Sequence, residues 1–471
     1  MTTSKILKIH ILFLVLLQLL LTGLLFRPDS NLTAFRVAYL PGEIIIARLS
    51  PYGPGFDNEL VRLFCTRHKF TPVWQPVHTV QQGIDALQNN RADIFICSSA
   101  RSLLSSHPDL QTGPIYRTDQ PVIVHNKWKQ GLLNPQDICQ DELLISRGTE
   151  ILKSVQTLTR TMGCMDTTVT PTGPGLDTLL TDMTENRTRF AVVSASGFNL
   201  WQPFFPDIRP SLNLHQTFGT AWSWRIERKA LAASLRTFWK TVPSSPFLRD
   251  LKARYLGFLP SQTDFYELDH LLEVIDTELP LYSATIRKAA QKYGFDPLLL
   301  VAMIYQESHF DPHARSKTGV RGLLQISQTT AQELGIANRL APKASIMGGA
   351  EYLRGLADRL ASQELTTWNN LFLALAAYNQ GMGHLRDALT LTEKKGRDAT
   401  TWRDVKKIFP LLSYKKYYSD STYGYCRGLE AVDYVESIRY YYYFLTGLVR
   451  LARPEGKNLA RLTSGTMLSR R

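Results

Sequence analysis

The spacing of apolar residues changes character three times along the chain. Residues 9–26, "IHILFLVLLQLLLTGLLF", are apolar all round, with His10 and Gln18 as the clearly polar members. A run of that length reaches the short end of a membrane span and exceeds a usual signal-peptide core. Lys5 and Lys8 precede it, no small-x-small cleavage site follows, and no cysteine suited to lipid attachment lies near. Segment 1–34 is therefore expected to hold an uncleaved membrane helix through residues 9–26, with the two lysines on the cytoplasmic side. A cleaved signal is the alternative, and either one exports the rest of the chain.

Residues 35–257 then alternate in type. "FRVAYL", "FTPVWQPV" and "ADIFICSS" read as strands, and "NELVRLFCTRH" and "VQQGIDALQNN" read as helices. After "PVIVHN" the order restarts with "DELLISR", a helix over 150–162, "TTVTPT", "GLDTLLTDMTEN" and "RFAVVSA". This is an α/β domain of two similar halves. The segment from Trp224 to Gly257 closes it as helices, and residues 258–265, "FLPSQTDF", read as a linker. From 266 to 451 apolar residues recur at three and four, which predicts an almost wholly helical domain. Residues 452–471 are polar and basic and are expected to form a loose tail. The fold class is multidomain, α/β followed by mainly α.

Composition narrows the partners. The chain has 471 residues, 44% hydrophobic and 20% charged, which suits two or three globular domains. A net charge of +13 suits an anionic partner: nucleic acid, anionic lipid or an acidic polymer. The positive excess is spread along the chain without a basic cluster interleaved with aromatics, so nucleic acid is not expected. None of the five cysteines falls in a metal-binding spacing, and His309 and His313 lack companion ligands, so neither metal nor cofactor is expected. Cys139 and Cys164 each precede a strand-like run. They are either bridged, as export permits, or buried free thiols.

One helix carries unusual chemistry. In "FDPLLLVAMIYQESHFDP", Asp296 suits an N-cap, Pro297 the first helical position, and Asp311-Pro312 a stop. Leu300, Met303, Ile304 and Glu307 fall at i, i+3, i+4 and i+7, so Glu307 continues the apolar stripe. It also sits in the last turn, where the helix dipole disfavours negative charge. Burial and dipole both raise a carboxyl pKa, and a carboxyl kept protonated near neutral pH is what a general acid needs. The plain alternative is a glutamate that swings sideways into solvent.

The surrounding motifs add a resemblance. "YQESHFDPHARSKTGVRGLLQIS", followed by "SIMGGAEYLRGL", Ala377-Tyr378-Asn379 and Glu436-Ser437 with Tyr440, resembles in order the SLT domain of the lytic transglycosylases, in the goose-lysozyme-like superfamily. The resemblance implies a lysozyme-like helical catalytic domain with Glu307 as catalytic acid. It implies substrate contacts from Ser308, Gly322, Gln325, Tyr378, Asn379, Glu436 and Tyr440. Tyr378 or Tyr440 would steady the acid or the positive charge. Peptidoglycan glycan strands are the implied substrate, cut without water to leave a 1,6-anhydro sugar. Ordinary glycosidases pair two carboxylates roughly 5–9.5 Å apart. Asp311 is the nearest second carboxyl, in a turn where capping is its plain role. The implied chemistry needs one carboxyl only. A lysozyme-like hydrolase and a non-catalytic cell-wall sensor are the alternatives.

Residues 35–257 resemble the bilobed periplasmic binders, the extracellular solute-binding protein family 3, through "GIDALQNNRADIFI" and "LRDLKARYLG". Arg101 follows the strand after which amino-acid binders place an arginine, and Ser194 stands where they place an aspartate. The resemblance implies a small ligand, either an amino acid or a cell-wall fragment, in a regulatory module. Together the readings put the chain at the periplasmic face of the envelope. An inner-membrane anchor follows from the sequence, and peripheral outer-membrane attachment follows if the segment is cleaved.

Overall fold

Strands β1 (Thr33–Tyr39) and β2 (Phe70–Pro76) run parallel, joined through helix α1 (Phe56–His68). Helix α2 (Val80–Gln88) then returns the chain to β3 (Ile94–Cys97), parallel to β1 on its other side. In this computed structural model the described residues are 33–464, apart from 42–47, 99–103, 105, 132–133, 141, 146–148, 165–168, 172–174, 186–187, 317–318 and 363. The expected membrane segment 9–26 and Arg101 lie outside them. Among the described residues no helix is long and apolar enough to cross a membrane.

After β4 (Leu110–Thr112) and β5 (Arg117–Asp119) the chain crosses into a second lobe. There β6 (Pro121–Asn126), β7 (Leu143–Ile145), β8 (Val169–Pro171), β9 (Phe190–Ser194) and β10 (Ile208–Asn213) form a sheet of order β10-β6-β9-β7-β8. Helices α3 (Thr149–Thr161), α4 (Leu176–Thr184) and α5 (Ala195–Trp201) accompany it. Strand β11 (Phe218–Arg225) then returns to the first sheet, antiparallel to β3, β4 and β5. Two crossings between two sheets give the bilobed α/β architecture that the pattern predicted. Helices α6 (Lys229–Thr241) and α7 (Pro246–Leu256) complete the domain. In the second lobe Cys139 and Cys164 form a disulfide, with Cα atoms 5.1 Å apart.

The helical domain follows as α8 (Phe265–Thr277), α9 (Leu279–Tyr293), α10 (Pro297–Ser308), α11 (Gln328–Glu333), α12 (Pro342–Leu360), α13 (Thr367–Gln380), α14 (Met382–Lys394), α15 (Trp402–Ile408), α16 (Lys415–Tyr418), α17 (Gly428–Arg450) and α18 (Lys457–Thr463). Helix α10 is the axis of this domain. Residues 297–305 are all buried, so the helix is enclosed on every side and not only along one stripe. The Asp296 carboxylate caps it by accepting the Leu298 N–H at 2.8 Å, and Tyr442 donates to the other oxygen of that carboxylate at 2.9 Å. The helix stops at Ser308 through two left-handed residues, His309 and Phe310, ahead of the expected Asp-Pro turn. Asp311 instead accepts the His313 N–H at 2.8 Å.

Two boundaries differ from expectation. Residues 258–265 are not a free linker, because Phe258 packs against the rings of Tyr52 and Tyr443 and Asp264 already caps α8. Residues from 452 onward are not a loose tail as far as they are described. Leu459 and Leu462 are fully buried, and Arg287 donates to the carbonyls of Arg461 and Leu462. Those leucines are three positions apart, which suffices to seat one helical turn in an otherwise basic stretch.

One apolar core runs through both domains. Tyr52 of the α/β domain is fully buried among Phe258, Trp368, Phe372 and Tyr442, and its hydroxyl donates to the Arg439 carbonyl at 2.6 Å. Helix α17 is the seam. Its Gly447 admits the Phe204 ring, which would lie 2.2 Å from any Cβ there. Its Arg439 donates to the carbonyls of Ala253 and Arg254 in the last turn of α7. Those carbonyls lie at the negative end of a helix, where an arginine fits best.

Candidate active site

Glu307 ends α10 beside α17, and the Tyr434 hydroxyl donates to its Oε1 at 2.7 Å. Among the described residues Oε2 has no hydrogen-bond partner. The side chain keeps partial access to solvent while protein packs around it on its other sides. Burial raises its pKa to about 8 from an ordinary 4.5; the Tyr434 hydrogen bond acts in the opposite direction, and among the described residues no cation offsets the burial. Burial also pushes the Tyr434 and Tyr378 hydroxyls well above their ordinary value, and the nearby Glu307 charge raises both further. The three groups thus share one pocket in which every proton is held tightly. Among the described residues no second carboxyl contributes to the environment of Glu307.

The turn 322–325 forms the neighbouring wall, and the expected residues mainly build that wall. Ser308 is buried, with Oγ within 2.9 Å of the Leu323 carbonyl and 3.1 Å of that of Ile304. Tyr378 donates to the Leu324 carbonyl at 2.7 Å. Gln325 adopts φ of 42°, and its amide nitrogen donates to the carbonyls of Ala314 (3.0 Å) and Gly322 (2.8 Å). Gly322 has φ of 81°, and a Cβ there would lie 2.7 Å from the Arg339 carbonyl, so both conformation and space require glycine. Asn379 is exposed at the end of α13, where it accepts from Gln380 at 2.8 Å.

Glu436 and Tyr440 lie elsewhere. Glu436 accepts from three donors of its own helical domain: Arg439 at 2.9 and 3.0 Å, the Trp402 indole at 2.7 Å, and Lys406 at 3.3 Å. Tyr440 is buried with its hydroxyl 3.4 Å from Thr263 Oγ1. The expectation that these two face the groove of Glu307 fails because residues two and six positions after Tyr434 point away from it on a 3.6-residue turn. Tyr434 is the partner that sequence reasoning missed. Its signal was an aromatic two residues before the Glu-Ser pair, in "AVDYVES". In the α/β domain Ser194 caps α5 by accepting the Gly197 N–H at 3.1 Å. Among the described residues no three His, Cys, Asp or Glu side chains gather into a metal site.

Residues 284–400 match the family model described as the Transglycosylase SLT domain. Over nearly the whole chain the similarity is to proteins named membrane-bound lytic murein transglycosylase F. The one from Shewanella woodyi is 31% identical over 420 residues, 88% of this chain and 85% of its own length. This chain belongs to that family. The Shewanella oneidensis relative is 32% identical over 444 residues, 92% of this chain and 90% of its own length. Among solved structures, the GluR0 ligand-binding core in complex with L-glutamate is 13% identical with a TM-score of 0.41, covering 48% of this chain and all of its own. The Bordetella pertussis BvgS VFT2 domain is 15% identical with a TM-score of 0.39, covering 47% of this chain and 93% of its own. In this chain Glu307 is paired with Tyr434, and among the described residues no second carboxyl hydrogen-bonds to it.

Proposed function

We propose that this chain is a peptidoglycan lytic transglycosylase whose catalytic acid and base is Glu307. The observation that carries the reading is a carboxyl with a pKa near 8, paired with a hydroxyl and no cation. Such a group is protonated at neutral pH and has a proton to give. Tyr434 holds Oε1 and thereby orients Oε2 toward the groove. Glu307 protonates the oxygen leaving the β-1,4 bond between N-acetylmuramic acid and N-acetylglucosamine. The muramic 6-hydroxyl attacks the anomeric carbon and returns its proton to the Glu307 carboxylate. Bond broken and bond formed balance without water, and the enzyme ends as it began.

Turn 322–325 and Tyr378 form the groove wall that the glycan lies against, with Asn379 at its rim. The family name supports the substrate, murein, and an envelope location with membrane attachment. The two-lobed α/β domain is proposed to take a small ligand, an amino acid or cell-wall fragment, and to regulate cleavage across the α17 seam. Incubation with purified murein sacculi is the test. The parent chain is expected to release soluble muropeptides, and Glu307→Gln to release none while keeping its fold by circular dichroism. A Glu307→Gln chain that still clears murein would remove Glu307 from the mechanism.

A further inference from the structure

Of the eleven large apolar side chains left exposed among the described residues, four lie within sixteen positions: Tyr414, Tyr423, Tyr425 and Leu429. The stretch is firmly held. Buried Asp387 accepts the N–H groups of Thr422 at 3.0 Å and Tyr423 at 2.8 Å. Ser421 Oγ accepts the Gly424 N–H at 3.1 Å. Cys426 is buried, with its N–H on the Leu412 carbonyl at 3.2 Å and its thiol on Gln380 Oε1 at 3.4 Å. Tyr418 and Tyr425 meet edge to face at 5.7 Å, and the Tyr423 ring lies against Gly383, 2.6 Å from where a Cβ would be. A backbone anchored this well leaves Tyr414, Tyr423 and Tyr425 each more than half exposed to water.

The C-terminal end of the stretch leads to the Glu307 site by two routes. Gln380 ends α13 directly after Tyr378 and Asn379. Gly428 begins α17, and Tyr434 follows six residues later, about 9 Å along the helix. Lys415 and Lys416 stand exposed on the same stretch, and among the described residues neither has an acidic partner. Lys416 instead lies over the Tyr417 ring at 5.7 Å, and Lys395 over the same ring at 5.0 Å.

We infer that residues 414–427 form a platform for the stem-bearing stretch of murein beside the bond that is cut, with tyrosine rings against sugar faces and Lys415 and Lys416 against stem carboxylates. The occupant follows from continuity with the groove of Glu307 and from charge complementarity between unpaired lysines and the carboxylates of peptide stems. The inference rests on the murein reading above.

The test uses the full chain carrying Glu307→Gln, so that substrate is bound and not consumed. Sedimentation is measured with intact sacculi, with sacculi stripped of stems by an amidase, and with anionic lipid vesicles. Lys415→Ala with Lys416→Ala is expected to weaken binding to intact sacculi about fivefold and to leave stripped glycan unaffected. Tyr423→Ala with Tyr425→Ala is expected to weaken both about tenfold. All four side chains are exposed, so unfolding temperatures are expected to match the parent. Equal binding of variants and parent to intact sacculi overturns the platform alone, provided the active parent clears murein. A lysine effect seen only on vesicles assigns the surface to a membrane and also overturns it. A parent chain that neither binds nor clears murein overturns the proposed function together with the platform.

Discussion

Helix α17 presents a partner to one carboxyl on each of two faces, and the two carboxyls differ in their company. Toward α10, Tyr434 gives Glu307 one hydroxyl and no cation. Toward the α/β domain, Glu436 is gripped by Arg439, Lys406 and Trp402. A cation beside a carboxylate favours its ionised form and fixes it in place. Glu436 is accordingly architectural: it holds the arginine that closes the last turn of α7. Glu307 keeps its proton up to about pH 8 and is free to pass it on. Asp57 falls between the two. It is fully buried with Arg117 at 3.5 Å and the Tyr116 hydroxyl on its other oxygen, yet burial still raises its pKa. Burial alone therefore does not separate Glu307 from Asp57; burial without a cation does, and that is the environment the proposed general acid needs.

The contrast can be broken most sharply at Glu307 itself. Glu307→Gln is expected to lower murein cleavage by about 10³-fold or more, measured by release of soluble muropeptides. Glu436→Ala is expected to act through stability instead. Leaving Arg439 buried without its acid should cost about 3 kcal/mol in denaturant titration, with the remaining folded enzyme active. Equal loss of turnover in fully folded Glu436→Ala would place both carboxyls in the chemistry.

A smaller effect concerns pH and stability. The folded pKa of Glu307 lies above its unfolded value, so the stability its neutral form confers is complete below about pH 4.5 and is lost as pH rises toward 8. Glu307→Gln escapes that loss. After discounting for partial exposure, it should be more stable than the parent by about 2 kcal/mol near pH 7.5 and equal to it near pH 4.5. The smallest effect is expected at Tyr434. Tyr434→Phe removes the bond that favours the carboxylate, so the basic limb of the pH–rate profile should move above about pH 8 while kcat falls about tenfold. An unmoved limb would separate Tyr434 from the titration of Glu307.

The legible parts of this molecule are those whose cause is local. Glu307 stood out because four residues of one helix fix its face, and the N-cap Asp296 fixed that helix's start. Strands β1, β2 and β3 were legible because each is a short stretch rich in β-branched and aromatic residues. Strand β11 was not, since "FGTAWSWR" is buried almost throughout and finds its partners more than a hundred residues earlier in the chain. Tyr434 was hidden for a related reason. It meets Glu307 across 127 residues, and "RYYYYF" on the same helix offers tyrosines to every face. The end of the helix near His309 was legible, but its left-handed backbone at His309 and Phe310 was not, because nothing in those side chains announces it.

The most direct measurement is mass spectrometry of the muropeptides released from sacculi digested in oxygen-18 water. Attack by the muramic 6-hydroxyl predicts 1,6-anhydro ends that carry no label, absent altogether with Glu307→Gln. Reducing ends carrying oxygen-18 would show that water is the attacking group and contradict the one-carboxyl mechanism.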